Sequence, residues 1–216
     1  MQTTHGEREK CYQCYRPKSS CMCQHISPID TETKFVILMH PKEFKKVKNG
    51  TGHLTHRSLS NAELFVGIDF TEHSRINAIL DTHESYILYP SKDALNLSKT
   101  SLHVSPKRAI FIIDSTWACA LKMMRESRNL HALSHISFEA TKPSAFKIKE
   151  QPKAHCLSTI ESTLCVLECL NKEGTESISQ ESIDAFLNPF HEMVTYQLSC
   201  LKNPLTQAVR YKPRKG

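Results

Sequence analysis

Three stretches of this chain are apolar at every position, and nothing else in it constrains the fold as tightly. They are Phe35-Val36-Ile37-Leu38-Met39, Tyr86-Ile87-Leu88-Tyr89 and Ala109-Ile110-Phe111-Ile112-Ile113. A strand with one wet face alternates apolar and polar residues. A strand without alternation is covered on both faces, as in a parallel sheet between helical layers. Leu64-Phe65-Val66-Gly67-Ile68 and Ile136-Ser137-Phe138 are weaker members of the set. Helical patterns lie between or after these runs. Trp117 to Arg128 follows the third run directly. Leu157, Ile160, Leu164 and Leu167 recur at three- and four-residue spacing, which predicts an amphipathic helix over 158–172. Ser158 and Glu161 stand at the spacing of a capping box, and Gly174 is placed to close the other end. Ile183, Phe186, Leu187, Phe190, Val194, Leu198 and Leu201 predict a last helical region, which Pro189 should kink or divide. Strands alternating with helices mean an α/β fold with a mostly parallel sheet and flanking helices.

The amount of apolar material agrees with this. The 216 residues are 39% hydrophobic and 23% charged, enough for a packed core. No run of 18 apolar residues occurs, so no spanning helix is expected. Met1 to Lys10 is polar and lacks the apolar region of a signal peptide, so the expectation is a cytoplasmic protein without a membrane partner.

Nine cysteines are many for this length, and an odd number cannot pair completely. Cys11, Cys14, Cys21 and Cys23 fall close together as C-x2-C-x6-C-x-C. Four thiolates at such spacing can surround one tetrahedral Zn2+ with Zn–S near ~2.3 Å. Two local disulfides or an iron–sulfur cluster are the rival readings. A closed four-thiolate zinc site has no open position and is structural. It would fold a segment too short to fold by burial alone. Cys119, Cys156, Cys165, Cys169 and Cys200 are scattered and read as small core residues.

Charge is uneven along the chain. The formal net charge is +6, made of +5 in residues 1–60, −3 in 61–202 and +4 in 203–216. Basic ends on a mildly acidic middle suit a polyanionic partner, or are merely solvated. Lys42, Lys45, Lys46 and Lys48, followed by Arg57, form the densest basic run.

Polar residues stand directly after the apolar runs. His40-Pro41-Lys42-Glu43 follows the first, Pro90-Ser91-Lys92-Asp93-Ala94 the second, and Asp114-Ser115-Thr116-Trp117 the third. Ligands of open α/β sheets bind beyond the carboxyl ends of strands, so these segments point to one crevice. Lys149-Glu150-Gln151-Pro152, leading into Leu157-Ser158-Thr159-Ile160-Glu161, is a fourth polar element. Each has a plainer reading: Asp114 or Ser115 as a helix cap, Ser158 and Glu161 as a capping box alone, Trp117 as a core anchor.

The set resembles the DTW-domain family, whose signature is an Asp-x-Thr-Trp element, here Asp114-Ser115-Thr116-Trp117. The resemblance runs from Cys11 to about Gly174. It includes the four cysteines with Arg16-Pro17, His40-Pro41-x-Glu43, Tyr89-Pro90-Ser91-x-Asp93-Ala94, and Gln151-Pro152 followed by Leu157 to Glu161. Two positions depart from the pattern: Ser115 stands where Gly is frequent, and Lys149 where an Arg is usual. The second keeps the charge but loses the bidentate fork.

The resemblance implies a tRNA-uridine aminocarboxypropyltransferase. Such an enzyme transfers the 3-amino-3-carboxypropyl chain of S-adenosylmethionine, not its methyl, to N3 of a uridine. It also implies a SPOUT-like fold with a C-terminal trefoil knot, residues 1–30 as a zinc module, 31–209 as the catalytic domain and 210–216 as a basic tail. The implied catalytic group is Asp114 as general base, with Thr116 and Trp117 beside the substrate. The donor would be held by Leu88, Tyr89, Pro90, Ser91, Ile113, Asp114, Ser115, Gln151, Leu157, Ser158, Thr159 and Glu161. The tRNA would be held by Lys42, Lys45, Lys46, Lys48, Arg57 and Lys149 through its phosphates. The oligomeric state is left at monomer or homodimer. An RNA methyltransferase of the same fold, or a zinc-dependent RNA-binding protein without catalysis, are the competing functions.

Overall fold

In the computed structural model the described residues are 9–45, 48–103, 105, 107–148 and 156–202. Six parallel strands form its centre. They are β1 (Lys34–Met39), β2 (Ala62–Val66), β3 (Glu84–Leu88), β4 (Leu95–Asn96), β5 (Arg108–Asp114) and β6 (Ser134–Ser137). Their spatial order is β2-β1-β5-β3-β6-β4. The three uniformly apolar runs are its inner strands β1, β5 and β3. Phe35 through Leu38 and Ala109 through Phe111 have no solvent exposure. Each of these side chains except Ala109 contributes about 1.5–3 kcal/mol by its burial.

Helices cover both faces, as the absence of alternation requires. They are α1 (Pro41–Phe44), α2 (Gly52–Arg57), α3 (Ser74–Thr82), α4 (Trp117–Glu126), α5 (Thr159–Lys172), α6 (Gln180–Ala185) and α7 (Asn188–Lys202). Phe35, Tyr86, Ile110 and Ile112 pack with Leu54 of α2, Ile160 and Leu167 of α5, and Phe190 of α7. Val36, Leu38, Ile87 and Phe111 face the other way, onto Ile76 and Ile79 of α3 and Met123 of α4.

One expected boundary differs. The expected strand over 64–68 lies at Ala62–Val66 instead. The chain leaves the sheet at Gly67, where an added Cβ would stand 2.8 Å from the Phe70 ring, so strand and loop fold back on each other there. Pro189 marks the division expected in the last helical region: α6 ends at Ala185 and α7 begins at Asn188. It is the second residue of α7, in the first turn, where its missing N–H costs nothing.

α5 is built as its sequence predicts. The capping box of Ser158 and Glu161 is formed. Gly174, with φ +77°, ends the helix in the left-handed region, and the N–H groups of Thr175 and Glu176 close onto the carbonyl of Leu170. The Glu161 carboxylate does more than cap. It accepts from the backbone N–H of Ser158 and Ala145, each at 2.8 Å, and from the hydroxyls of Ser144 and Ser158. Glu161 is 6% exposed, so losing it strands several buried donors. Glu161→Ala should destabilise the protein by about 2–4 kcal/mol, read as a lower urea midpoint. A loss under about 0.5 kcal/mol would show that the latch is not a structural tie.

Among the described residues, no helix is long and apolar enough to cross a membrane.

Candidate active site

The site lies where the sheet order reverses. After β1 the chain passes to α2 on one face; after the adjacent strand β5 it passes to α4 on the other. Helices departing to opposite faces open a crevice at the carboxyl ends of these two strands. β1 and β5 end level, with Met39 beside Asp114. The His40 N–H donates to the Asp114 carbonyl at 3.1 Å, and His40 Nδ1 accepts from the Lys42 N–H, capping α1.

Asp114 is 7% exposed. Its Oδ1 accepts from the Thr159 hydroxyl at 2.5 Å, across 45 residues of sequence. The strand-end turn of β5 and the N-terminal turn of α5 are thus one place in the fold. Gly52, the first residue of α2, forms a third wall. A Cβ there would run into the Asp114 carboxylate and stand 2.6 Å from Met39 Cε. Gly52→Ala should therefore displace the carboxylate and cost about 1–3 kcal/mol of stability. Thermal melts and crystal structures of the variant check this, and an unmoved Asp114 would refute it.

The other residues of the sequence reading fall around this centre unequally. Thr116 is the N-cap of α4 and leaves its side chain exposed, while Trp117 is 51% exposed. Ser115 Oγ is buried without a hydrogen-bond partner among the described residues. Leu88 ends β3 beside Ile112 of β5, and Tyr89, which precedes Pro90, donates its N–H to the Ile136 carbonyl at 3.3 Å. Ser91 turns the chain, accepting from the N–H of Asp93. The Tyr89 ring stands edge-on to His135 at 5.8 Å. Leu157 and Ser158 lead into Thr159, whereas both oxygens of Glu161 are taken by the latch described above. A hollow of about 310 Å3 opens beside α4, lined by Tyr89, Leu121, Met124, Arg125, His131 and His135. Lys42, Lys45, Lys48 and Arg57 are exposed. Gln151, Lys46 and Lys149 lie outside the described residues.

The four N-terminal cysteines converge. All are free, and their sulfurs lie within 4.8 Å of one another. Cys11 and Cys23 are 3.8 Å apart, and Cys14 and Cys21 3.7 Å. Four sulfurs at ~2.3 Å from one tetrahedral ion stand about 3.8 Å from each other, so the set could hold one metal ion. The turn is shaped locally. Tyr15 adopts φ 59°, its N–H bonds the Cys11 carbonyl, and the Cys11 N–H bonds the Arg16 carbonyl.

The contribution of Gly52 is not legible in sequence, since a glycine at the start of a short helix carries no mark of what packs on it. The family model for the DTW domain matches residues 8–198. The chain belongs to the DTW-domain family. It is 30% identical over 200 residues to "tRNA-uridine aminocarboxypropyltransferase 2" of Drosophila melanogaster, covering 89% of this chain and 76% of that one. The protein of the same name from Mus musculus is 28% identical over 203 residues, covering 90% and 65%. "tRNA-uridine aminocarboxypropyltransferase A" of Arabidopsis thaliana is 25% identical over 231 residues, covering 93% and 85%. This DTW chain thus spans slightly under two thirds of the mouse relative. No solved structure gives a significant match to it.

Proposed function

We propose that the chain is a tRNA-uridine aminocarboxypropyltransferase with a structural zinc ion, acting at the crevice between β1 and β5. The observation that carries this is the Thr159–Asp114 hydrogen bond, which joins the Asp-x-Thr-Trp element to the Ser158-Thr159 turn. The relatives' names supply the reaction class.

N3 of uridine is a weakly acidic imide and must lose its proton to attack carbon. Asp114, buried and oriented by Thr159, is the group that takes this proton. Thr116 and Trp117, at the exposed start of α4, flank the uracil. The residues present suit S-adenosylmethionine, because the orphaned Ser115 hydroxyl offers its polar amino-acid end a partner. Bound there, S-adenosylmethionine supplies the aminocarboxypropyl carbon and a neutral thioether leaving group. Tyr89, Pro90, Ser91, Ile113, Ser115, Leu157, Ser158 and Thr159 would hold it. The N-termini of α4 and α5 favour a carboxylate at this edge. The C-terminal knot remains part of this reading. It concerns chain that includes residues 149–155, outside the described set.

Lys42, Lys45, Lys48 and Arg57 supply phosphate contacts, with Lys46 and Lys149 as further cations. The exposed Trp117 and Leu121 and the neighbouring hollow offer apolar surface to an unstacked base. At the four cysteines, the sulfur spacing favours one tetrahedral ion over a polynuclear cluster, which would hold its thiolates farther apart.

The test is incubation with tRNA and S-adenosylmethionine labelled in the aminocarboxypropyl chain, followed by nucleoside analysis. Labelled uridine with release of 5′-methylthioadenosine is the expected result. Label reaching RNA only from the methyl position would replace this reading with methyl transfer, and no label from either would remove catalysis from it.

A further inference from the structure

Arg16 is two residues past Cys14, yet it is 1% exposed and is the largest fully buried side chain among the described residues. A guanidinium taken out of water needs both hydrogen bonds and a counter-charge. Its Nη2 donates to the Gly50 carbonyl at 2.8 Å and to Met193 Sδ of α7 at 3.1 Å. Both acceptors are neutral. No oxygen among the described residues accepts from its Nε or Nη1; the side chain it bonds on that side is Cys14. Burial lowers its pKa most, and the sulfurs of Cys14, Cys21 and Cys23 stand close enough for their charge to offset this. His53, whose charge would repel it, is kept neutral: burial, and then Arg16 itself, push that imidazole down to about 4.

We propose that Arg16 is the internal counter-ion of the four-thiolate centre and the tie that fastens this centre to the segment carrying Gly52. The inference rests on the zinc reading given above. Four thiolates on one divalent ion leave an excess of two negative charges. The N–H groups of Nε and Nη1 on this buried cation are donors that such thiolates would accept. The tie continues along the chain. The Gly50 carbonyl held by Arg16 lies two residues before Gly52, which packs on the Asp114 carboxylate. Metal loss removes the ion that gathers the four sulfurs beside the Arg16 side chain. The segment around Gly50 then loses its anchor. Metal occupancy thereby sets the order of the wall against Asp114 without the metal touching substrate. Arg16 is a positioning residue in this scheme. Lysine is a poor substitute, because a single ammonium cannot fork between a carbonyl, a thioether and thiolates.

The experiment uses the full chain and reads zinc directly. Zinc content is measured, its release to a chelator is followed with a chromogenic indicator, and hydrogen exchange of residues 50–57 is compared in wild type before and after metal removal. Arg16→Lys should release zinc at least about tenfold faster than wild type. Metal removal from wild type should raise exchange at 50–57 as well as at 9–27. Equal release rates would overturn the counter-ion role, and exchange rising at 9–27 alone would overturn the tie. Should Arg16→Lys not fold, the wild-type exchange comparison decides. Wild type without bound metal would overturn the zinc reading together with this one, whereas a zinc-loaded wild type with an unaffected variant overturns this one alone.

Discussion

Asp114→Asn will lower aminocarboxypropyl transfer by about 10²–10⁴-fold while leaving the zinc content and melting temperature nearly unchanged. The amide keeps the shape of the carboxylate and an oxygen to accept from the Thr159 hydroxyl. It cannot take a proton from N3. The pH–rate profile separates this role from a positional one. A base produces a rising acid limb in wild type that the variant lacks. A variant that retains both the rate and the limb would remove Asp114 from the chemistry. Thr159→Val supplies the complementary measurement. It removes the donor that orients Asp114 and keeps the proton acceptor, so its loss should be smaller, about tenfold, with the acid limb retained. An equal loss in both variants would mean that the pair is a packing contact.

The second large effect is at the cysteines. Cys14→Ser should abolish stoichiometric zinc and lower the melting temperature by about 6–12 °C, the equivalent of ~3 kcal/mol in a chain of this size. Cys14 is 1% exposed and faces Cys21 at 3.7 Å, so the serine hydroxyl is left buried without the metal it replaces a ligand for. Residues 10–27 contain few apolar side chains, of which Met22 reaches the main core. On the proposed zinc reading, metal binding is therefore most of what folds them. Differential scanning calorimetry with and without chelator reads both parts. A variant with the wild-type melting temperature would show that the segment folds without its ion.

The parts of the fold legible in sequence are those whose cause is local. Ile110, Phe111 and Ile112 announce a two-sided strand because consecutive side chains point to opposite faces and both must be apolar. Ser158, Glu161 and Gly174 announce the ends of α5 because capping needs only residues within one turn. α1 and α3 were missed for a related reason: they are capped by His40 and His73, whose Nδ1 atoms accept from Lys42 and Ile76, in place of the usual Ser, Thr, Asp or Asn. β4 has two residues and no periodicity to read.

The site divides in the same way. The segments that gather at the sheet's carboxyl edge were legible from polar residues following apolar runs. That Thr159 bonds Asp114 was not, because the contact depends on how α5 crosses the sheet. Glu161 was assigned to the donor through family resemblance, yet each hydrogen bond described on its carboxylate comes from this chain's own Ser144, Ala145 and Ser158. Arg16 carried no signal of burial, since an arginine among exposed loop residues reads as solvated.

The two margins of the sheet are unlike. On the β4 side the outermost rail is two residues long, too short for an incoming polypeptide to zip against. On the β2 side it is five residues long and ends in the exposed Val66. There Glu63 is held between Arg75 at 2.6 Å and Lys34 at 3.2 Å. That fixed knot of charge sits on the only long open margin among the described residues, where it discourages runaway sheet extension between molecules in a crowded solution.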